Sequence, residues 1–494
     1  MSPDFGAINN LYLCLDQGGQ ASRAMVFDQR GQLIASARET LHASRPAVGH
    51  VEYPAEALLT SIQRAIENVL DALGERRRDL AAVGLATQRS NIACWDRQTG
   101  EALSPILSWQ DRRAQQWLQQ FASRRRTIHQ RTGLFLSAHY GASKLRWCLD
   151  HIPEVKQAAD EERLAFGPMA SFILHRLLDE RPLLTDPVNA SRTQLFNIRS
   201  HDWDPELLKL FDLPLAALPD LKPNLYEFGT LTQGDVSIPM KLVNGDQSTA
   251  IYAYGHVQPD TAYVNIGSGA FVSRPSGPAC LFSPYLLTSL VMQQANHDCE
   301  YVLEGTVNGA ATALNWLARE EGIEDIFARL PDWLAEENAP PLFLNGIGGL
   351  GSPWWLASFK SRFHGDAASV EEKAVAVAES IIFLLTINLE EMHHLASPPE
   401  QIQLTGGLAQ IDGLCQRLAD LSGLPVYRPQ ETEATARGIA YLLAGHPRHW
   451  PEPDIGIWFT PQANASLQQR YEQWKACMQI EVTTKINSPY SNKE

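Results

Sequence analysis

At 494 residues the chain is too long for one ordinary core, and the length points to about two to four domains. Hydrophobic residues make up 44% and charged residues 20%, which excludes a disordered or fibrous chain. The formal net charge of −15 gives no general attraction to nucleic acid or to an anionic membrane, so an anionic ligand needs a local positive site.

No uncharged apolar run approaches the roughly 18 residues needed to cross a bilayer, and the opening MSPDFGAINN lacks the basic and apolar regions of a secretion signal. The expectation is a soluble, cytoplasmic protein. The cysteines at 14, 94, 148, 280, 299, 415 and 477 form no C-x-x-C pair and read as reduced structural thiols.

Residues 11–28, LYLCLDQGGQASRAMVFD, run from an apolar strand into Asp16, a glycine turn, Arg23 and a second apolar strand. A carboxylate at a strand end suits a hydrated cation, glycine admits backbone N–H groups to an anion, and arginine adds a fixed charge. Taken alone, the segment reads first as an ordinary β-hairpin. Short β-like runs lie near 11–15, 24–28 and 32–37. After Pro54, Leu58, Leu59, Ile62, Ile66, Val69, Leu70 and Leu73 recur at helical spacing. Another strand pair is expected at 82–87 and 92–96, so the chain reads as α/β.

Near residue 255 the pattern begins again, with TAYVNIGSGAFVSRP placing a strand before a Gly-Ser-Gly turn. Strands are expected at 287–292 and 299–303, helices at 307–320 and 370–394, and a strand, turn and helix at 401–421. A last helix at about 432–444 ends at Gly445, with Pro447 beyond it. Two strand-turn-strand openings about 250 residues apart suggest two similar lobes. Beyond 450 a short amphipathic stretch near 465–478 leads to INSPYSNKE, an end expected to be poorly ordered.

Four further polar elements follow apolar runs: GLATQRSNIACWDRQTG at 84–100, SWQDRRA at 108–114, VNGDQSTA at 243–250 and TGGLAQIDG at 405–413. Ends of strands are where an open α/β sheet places ligands. Each also has a plain structural reading: Arg89 as a surface ion-pair partner, Asp246 as an N-cap or turn residue, Gly406-Gly407 as a simple turn.

In their order along the chain these segments resemble the FGGY family of carbohydrate kinases, most of all its glycerol kinase branch, over about residues 11–445. DQGGQASRAMVFD is similar to the first phosphate loop, TQRS and SWQDRR to the substrate-contacting pair, NGDQ to the catalytic segment and IGSGAF to the second phosphate loop. LNGIGGLGSPWW is similar to the Gly-rich signature, and TGGLAQIDGLCQRLADLSGLPVYRP with EATARGIAYLLAG to the adenosine region.

The resemblance implies an α/β fold of two ribonuclease-H-like domains, of the actin and hexokinase type, with an interdomain cleft. A sugar- or polyol-binding domain would span 1–250 and a nucleotide-binding domain 251–450, with a C-terminal tail at 451–494. The implied activity is transfer of the γ-phosphoryl group of ATP, with Mg2+, to a hydroxyl of a small sugar or polyol. The alternative is a catalytically degenerate relative that binds sugar or nucleotide in a regulatory role. Neither nucleic acid nor membrane is implied as a partner; a homodimer is.

Carried over residue by residue, Asp246 would be the catalytic base, and Asp16 with Asp246 would hold magnesium. Arg89, Ser90, Trp109, His139, Tyr140, Asp246, Gln247 and Phe271 would contact the acceptor. Gly18, Gly19, Gln20, Arg23, Gly267, Ser268, Gly269, Ala311, Asn315, Gly406 and Gly407 would contact the nucleotide. The chain departs from the glycerol kinase pattern in three places. Gly19, Gln20 and Ala21 replace two threonines and a serine, and Ser90 replaces a Glu with His139 at a Tyr position. Ala311, Asn315 and Ile411 replace Gly, Gln and Asn. The changed acceptor side points away from glycerol toward a longer polyol or a ketose.

Overall fold

The computed structural model describes residues 10–336, 340–365, 369–430, 433–450 and 456–487. Contacts divide the chain into two units. One comprises Met1–Val257, Ser289–Tyr301 and Glu433–Glu452, and the other Gln258–Thr288, Val302–Thr432 and Pro453–Glu494.

In the first unit, β1 (Leu11–Gln17), β2 (Ala21–Asp28) and β3 (Leu33–Thr40) form an antiparallel meander. The apolar stripe read after Pro54 is buried along α1 (Ala55–Leu73), which covers this sheet with Leu58, Leu59, Ile62, Ile66, Val69, Leu70 and Leu73. Strand β4 (Leu80–Thr87) then pairs parallel with β1. The expected 92–96 run forms the strand Ile92–Asp96 of a separate four-stranded sheet, followed by α2 (Gly141–His151). Strands β5 (Leu225–Gln233) and β6 (Val236–Gly245) complete a six-stranded sheet in the order β5-β6-β4-β1-β2-β3. Strand β6 runs parallel to β4 and leads into the short helix α3 (Asp246–Ala250).

The theme repeats with β7 (Thr261–Ile266), β8 (Ala270–Gly277), β9 (Leu287–Gln293) and β10 (Cys299–Val307). Helix α4 (Ala311–Glu321) starts later than the expected 307, because the strand continues to Val307 and the Gly267 and Ser268 carbonyls cap the helix. The buried α5 (Val370–His393) begins with a capping box between Ser369 and Glu372. Strand β11 (Gln401–Thr405), α6 (Asp412–Ser422) and β12 (Val426–Pro429) follow.

Helix α7 (Ala434–Leu443) returns to the first unit. Its Gly438 comes so close to the Thr249 carbonyl that a Cβ there would meet it, and Ile439 lies against Gly84 of β4. Gly445, with φ 79°, ends the helix in the left-handed region. The sequence reading grouped this helix with the 251–450 half, but its apolar face packs on β1 and β4.

The segment read as a tail after 450 is part of the second unit. Strand β13 (Gly456–Phe459) pairs with β12, and α8 (Ala465–Asn487), longer than the expected 465–478, buries Leu467, Tyr471, Trp474, Met478 and Val482 in that unit's core. INSPYSNKE falls almost wholly outside the described residues. The seven-stranded sheet runs β9-β10-β8-β7-β11-β12-β13. Its central run, β10-β8-β7-β11-β12, repeats the order β3-β2-β1-β4-β6 of the first unit. Among the described residues no disulfide links the cysteines, and no helix is long and apolar enough to cross a membrane.

Candidate active site

In the first unit three parallel strands end side by side. The register sets Gln17 of β1 and Gly245 of β6 against Thr87 of β4. Asp16, Gln88-Arg89 and Asp246-Gln247 therefore cluster at the carboxyl edge of the sheet.

Asp16 is only 8% exposed. Arg23 Nη1 donates to its Oδ2 at 3.2 Å, while Arg23 Nε lies 3.5 Å from Glu433. Burial pushes the Asp16 carboxyl up to about 7; Arg23 opposes the rise, and the charges of Asp246 and Glu433 add to it. Asp246 opens α3, and its Oδ1 accepts the Gln247 N–H at 2.8 Å. Burial raises this carboxyl too, against the pull of Arg89 and Arg192. Arg89 donates to Gln247 Oε1 and, at 3.5 Å, to Ser248 Oγ. Its aliphatic stem crosses Gly245, where a Cβ would stand 2.6 Å from Arg89 Cγ.

On the acceptor side, Ser90 has φ 66° and is 6% exposed. Its Oγ has no hydrogen-bond partner among the described residues. The rings of Trp109 and His139 lie 5.3 Å apart, and those of His139 and Tyr140 4.8 Å apart in an edge arrangement. Burial, followed by the charges of Arg112, Lys144, Arg192 and Arg89, holds His139 well below the usual imidazole range. It is therefore a neutral ring in an aromatic wall. The charged part of SWQDRR is scaffold. Buried Asp111 accepts the Val51 N–H at 2.7 Å and pairs with Arg113 at 2.8 Å, and Arg113 also reaches Glu52 at 2.5 Å.

The turn after β1 is tied down by its neighbours. The Gly18 N–H donates to the Ala21 carbonyl at 3.1 Å, the Gln20 carbonyl accepts from Leu41 N–H at 2.9 Å, and Tyr53 donates to the Gly19 carbonyl at 3.0 Å. A Cβ on Gly19 would stand 2.7 Å from Gln88 Nε2. Gln20 itself is exposed.

The remaining candidates form a second group in the other unit. β7 and β11 run parallel, with Asn265 opposite Thr405, so the turns after them adjoin. Gly406, with φ 99°, comes within 2.5 Å of the Ile266 carbonyl when a Cβ is added, a site only glycine fills without strain. The Gly267 N–H donates to the Gly269 carbonyl at 2.8 Å, and the Gly267 and Ser268 carbonyls cap the first turn of α4 at Ala311 and Thr312. Exposed Ser268, Asn315 and Gly407 leave a small-residue polar surface there. Ile411 is buried in the core. Phe271 pairs with Asn265 across β7 and β8. The Gly-rich signature supports this group: Asn308 Nδ2 donates to the Gly348 and Gly349 carbonyls at 3.2 and 3.1 Å, and Asn345 Nδ2 to the Gly309 carbonyl at 2.8 Å.

The sequence reading missed Glu433, Thr435 and Arg192. Glu433 touches Arg23, and Thr435 Oγ1 donates to the Asp246 carbonyl at 3.4 Å. Buried Arg192 acts on Asp246 and His139 through its charge. None of these stands at the end of an apolar run, so nothing local marked them.

Comparison with known proteins agrees with this architecture. Residues 11–250 match the FGGY family of carbohydrate kinases, N-terminal domain, and residues 262–445 its C-terminal domain. Glycerol kinase 1 of Pseudomonas aeruginosa is 32% identical over 450 residues, covering 88% of this chain and 90% of that protein. Glycerol kinase of Koribacter versatilis is 33% identical over 476 residues, covering 93% of each. Among solved structures, Plasmodium falciparum glycerol kinase with ADP superposes with a TM-score of 0.85 at 21% identity, covering 96% of this chain and 98% of that one. A xylulose kinase from Brucella ovis gives 0.84 at 20% identity, covering 95% and 99%. With both halves matched in order and the strand order doubled, the chain belongs to the FGGY family of carbohydrate kinases and is an ATP-dependent phosphotransferase acting on a sugar or polyol.

Proposed function

We propose that the acceptor is a polyol or ketose longer than glycerol, and that Asp246 takes the proton of the hydroxyl that attacks the γ-phosphorus. The observation that carries the choice of acceptor is Ser90: a buried hydroxyl without a partner stands where the glycerol kinase pattern has a carboxylate. A small group there leaves room and a donor for an additional hydroxyl, beside the neutral His139 ring and Trp109. Arg89 and Gln247 would bind acceptor hydroxyls, with Tyr140 closing the wall. The segment 1–250 would then carry the acceptor side, and 251–450 the nucleotide, along Gly267, Ser268, Gly269, Ala311, Asn315, Gly406 and Gly407.

In the reaction, a bond forms between the acceptor oxygen and the γ-phosphorus as the bond to the bridging oxygen of ADP breaks. The hydroxyl proton passes to Asp246, whose proton affinity is raised by burial, which makes it a stronger base than a solvated carboxylate. Asp16 and Asp246 fit a hydrated magnesium ion: two buried carboxylates repel each other, and a small dication keeps its remaining positions for water and phosphate. When bound, magnesium would neutralise charge on the transferring phosphate. Arg23, held between Asp16 and Glu433, would adjust the charge of that cluster and face the phosphates with Gly18, Gly19 and Gln20.

A binding protein without turnover is the competing reading, favoured by a phosphate turn whose Gly18 N–H is already donated to the Ala21 carbonyl and that carries Gly19, Gln20 and Ala21 in place of hydroxyl side chains. A coupled ADP-release assay with MgATP against glycerol, pentitols, ketopentoses and ketohexoses separates the two. The expected result is turnover with a five- or six-carbon acceptor at higher kcat/KM than glycerol, lowered about 10²–10⁴-fold in Asp246→Asn. Glycerol as best acceptor would overturn the pocket assignment, and ATP binding with no turnover on any acceptor would support the competing reading.

A further inference from the structure

Helix α2 carries Lys144, a residue only 1% exposed that the kinase resemblance gives no role. Its Nζ donates to three backbone carbonyls, those of Ser90 at 2.9 Å, Ser108 at 2.8 Å and His139 at 2.7 Å. Burial, and then the charge of Arg112, pulls the Lys144 amine well below the usual ammonium range. Three carbonyl acceptors around Nζ nevertheless match the three N–H donors that only the ammonium has, and that geometry is how a buried cation is tolerated. A satisfied core lysine needs no more explanation than that, but the identity of the acceptors does. Each carbonyl belongs to a different stretch of chain, and each adjoins a residue of the acceptor side: Ser90 follows Arg89, Ser108 precedes Trp109, and His139 precedes Tyr140.

Ser90 adds an independent sign. A non-glycine residue at φ 66° persists only where its surroundings hold it. The ammonium grips the carbonyl of this residue, whose side-chain oxygen has no partner. Asn91 reinforces the arrangement from the other side, its Oδ1 accepting the Trp109 N–H at 2.8 Å. Removing the ammonium would leave the Ser90 and His139 carbonyls without a donor among the described residues and the Ser108 carbonyl with only the Asp111 N–H, at 3.0 Å, and so loosen all three stretches.

We propose that Lys144 is a positioning residue of the acceptor site: one buried ammonium fixes the backbone at Ser90, Ser108 and His139, and thereby aims Arg89, Trp109 and the His139 ring. This rests on the acceptor-side reading given above. The test pairs steady-state kinetics, on the panel compound with the highest kcat/KM, with amide hydrogen exchange on the ligand-free protein. Lys144→Met is expected to raise the acceptor KM by 10-fold or more while the ATP KM changes less than about 2-fold. Exchange should quicken at 88–92, 107–111 and 137–141 together and stay unchanged elsewhere. Lys144→Gln, which keeps two donors, should fall between Met and wild type, and it carries the same readouts if the Met variant does not fold. Equal rises in both KM values, exchange quickening throughout the unit, or failure of both variants to fold would overturn the assignment in favour of a purely structural lysine. Arg89→Ala separates the two layers. If it leaves the acceptor KM unchanged, the acceptor-side reading fails, while the exchange pattern still decides whether Lys144 fixes the three stretches.

Discussion

Asp16 lies among the charges of Arg23, Asp246 and Glu433 in a buried position, and its proton affinity therefore reports on the whole cluster. Its carboxyl rises from 3.8 to about 7 on folding. The sign follows from the rise: a carboxyl with a raised folded value is favourable below its unfolded value and loses that contribution as pH climbs through about 7, since burying the ionised form is costly. Asp16→Asn, an uncharged isostere, should raise the melting temperature of the metal-free protein by a few degrees at pH 8. That gain should shrink as the pH is lowered toward 5, in scanning calorimetry at both pH values, and an equal gain at both would remove ionisation of Asp16 as its source. The Arg89 stem across Gly245 makes a second prediction. Gly245 has φ −84°, which alanine accepts, so only the contact with Arg89 is at issue. Gly245→Ala should raise the acceptor KM about 10-fold through displacement of Arg89, with the ATP KM and the melting temperature little changed. At this scale Asp16, Arg89 and Asp246 were legible because each follows an apolar run. Glu433 and Arg192, and the Lys144 proposed above, were not, because what brings each to the candidate site is the partner it meets across the fold.

Elements at strand ends were read well where one period dominates, as in β1, β2 and α1. Boundaries slipped where tertiary bonds set them: β10 continues to Val307, and α4 waits for the Gly267 and Ser268 carbonyls to cap it. The largest difference concerns α8. Leu467, Tyr471, Trp474, Met478 and Val482 recur at spacings of three and four, so a helix was visible, but no feature of the stretch names the surface that receives it. The receiving surface is α5 and the strand Leu342–Leu344. Trp474 Nε1 donates to the Phe343 carbonyl at 3.1 Å and its ring lies 5.6 Å from Phe383, while Arg470 and Arg417 both pair with buried Glu379. Trp474→Ala removes a fully buried ring and should cost about 3–5 kcal/mol, a typical loss for a core aromatic. Denaturant unfolding followed by exchange at α5 peptides would measure it, and a loss under about 1 kcal/mol would show that α8 is an appendage.

At the scale of the whole molecule, the repeated strand order explains why two strand-turn-strand openings about 250 residues apart were a sound guide to two lobes. The order in which the chain fills them was not legible, because a helix carries no label for the sheet it covers. Helix α7 is the case that matters, since it follows the second sheet in sequence and packs in the first unit. Arg437 donates to the Ala253 and Gly31 carbonyls at 2.8 and 2.9 Å, Gly438 admits the Thr249 carbonyl, and Glu433 and Thr435 reach the Asp16 and Asp246 cluster. A fragment ending at residue 257 would leave bare the faces of β1 and β4 that α7 covers, together with the buried carbonyls of Gly31 and Ala253. The 1–257 fragment should therefore fail to give a cooperative melting transition when produced alone. Co-production with 258–494, which carries α7, should restore a soluble two-chain complex detectable by gel filtration. A 1–257 fragment that melts cooperatively without its partner would show that α7 is dispensable to the first unit, and Glu433 would then lose its standing as part of the charge cluster around Asp16.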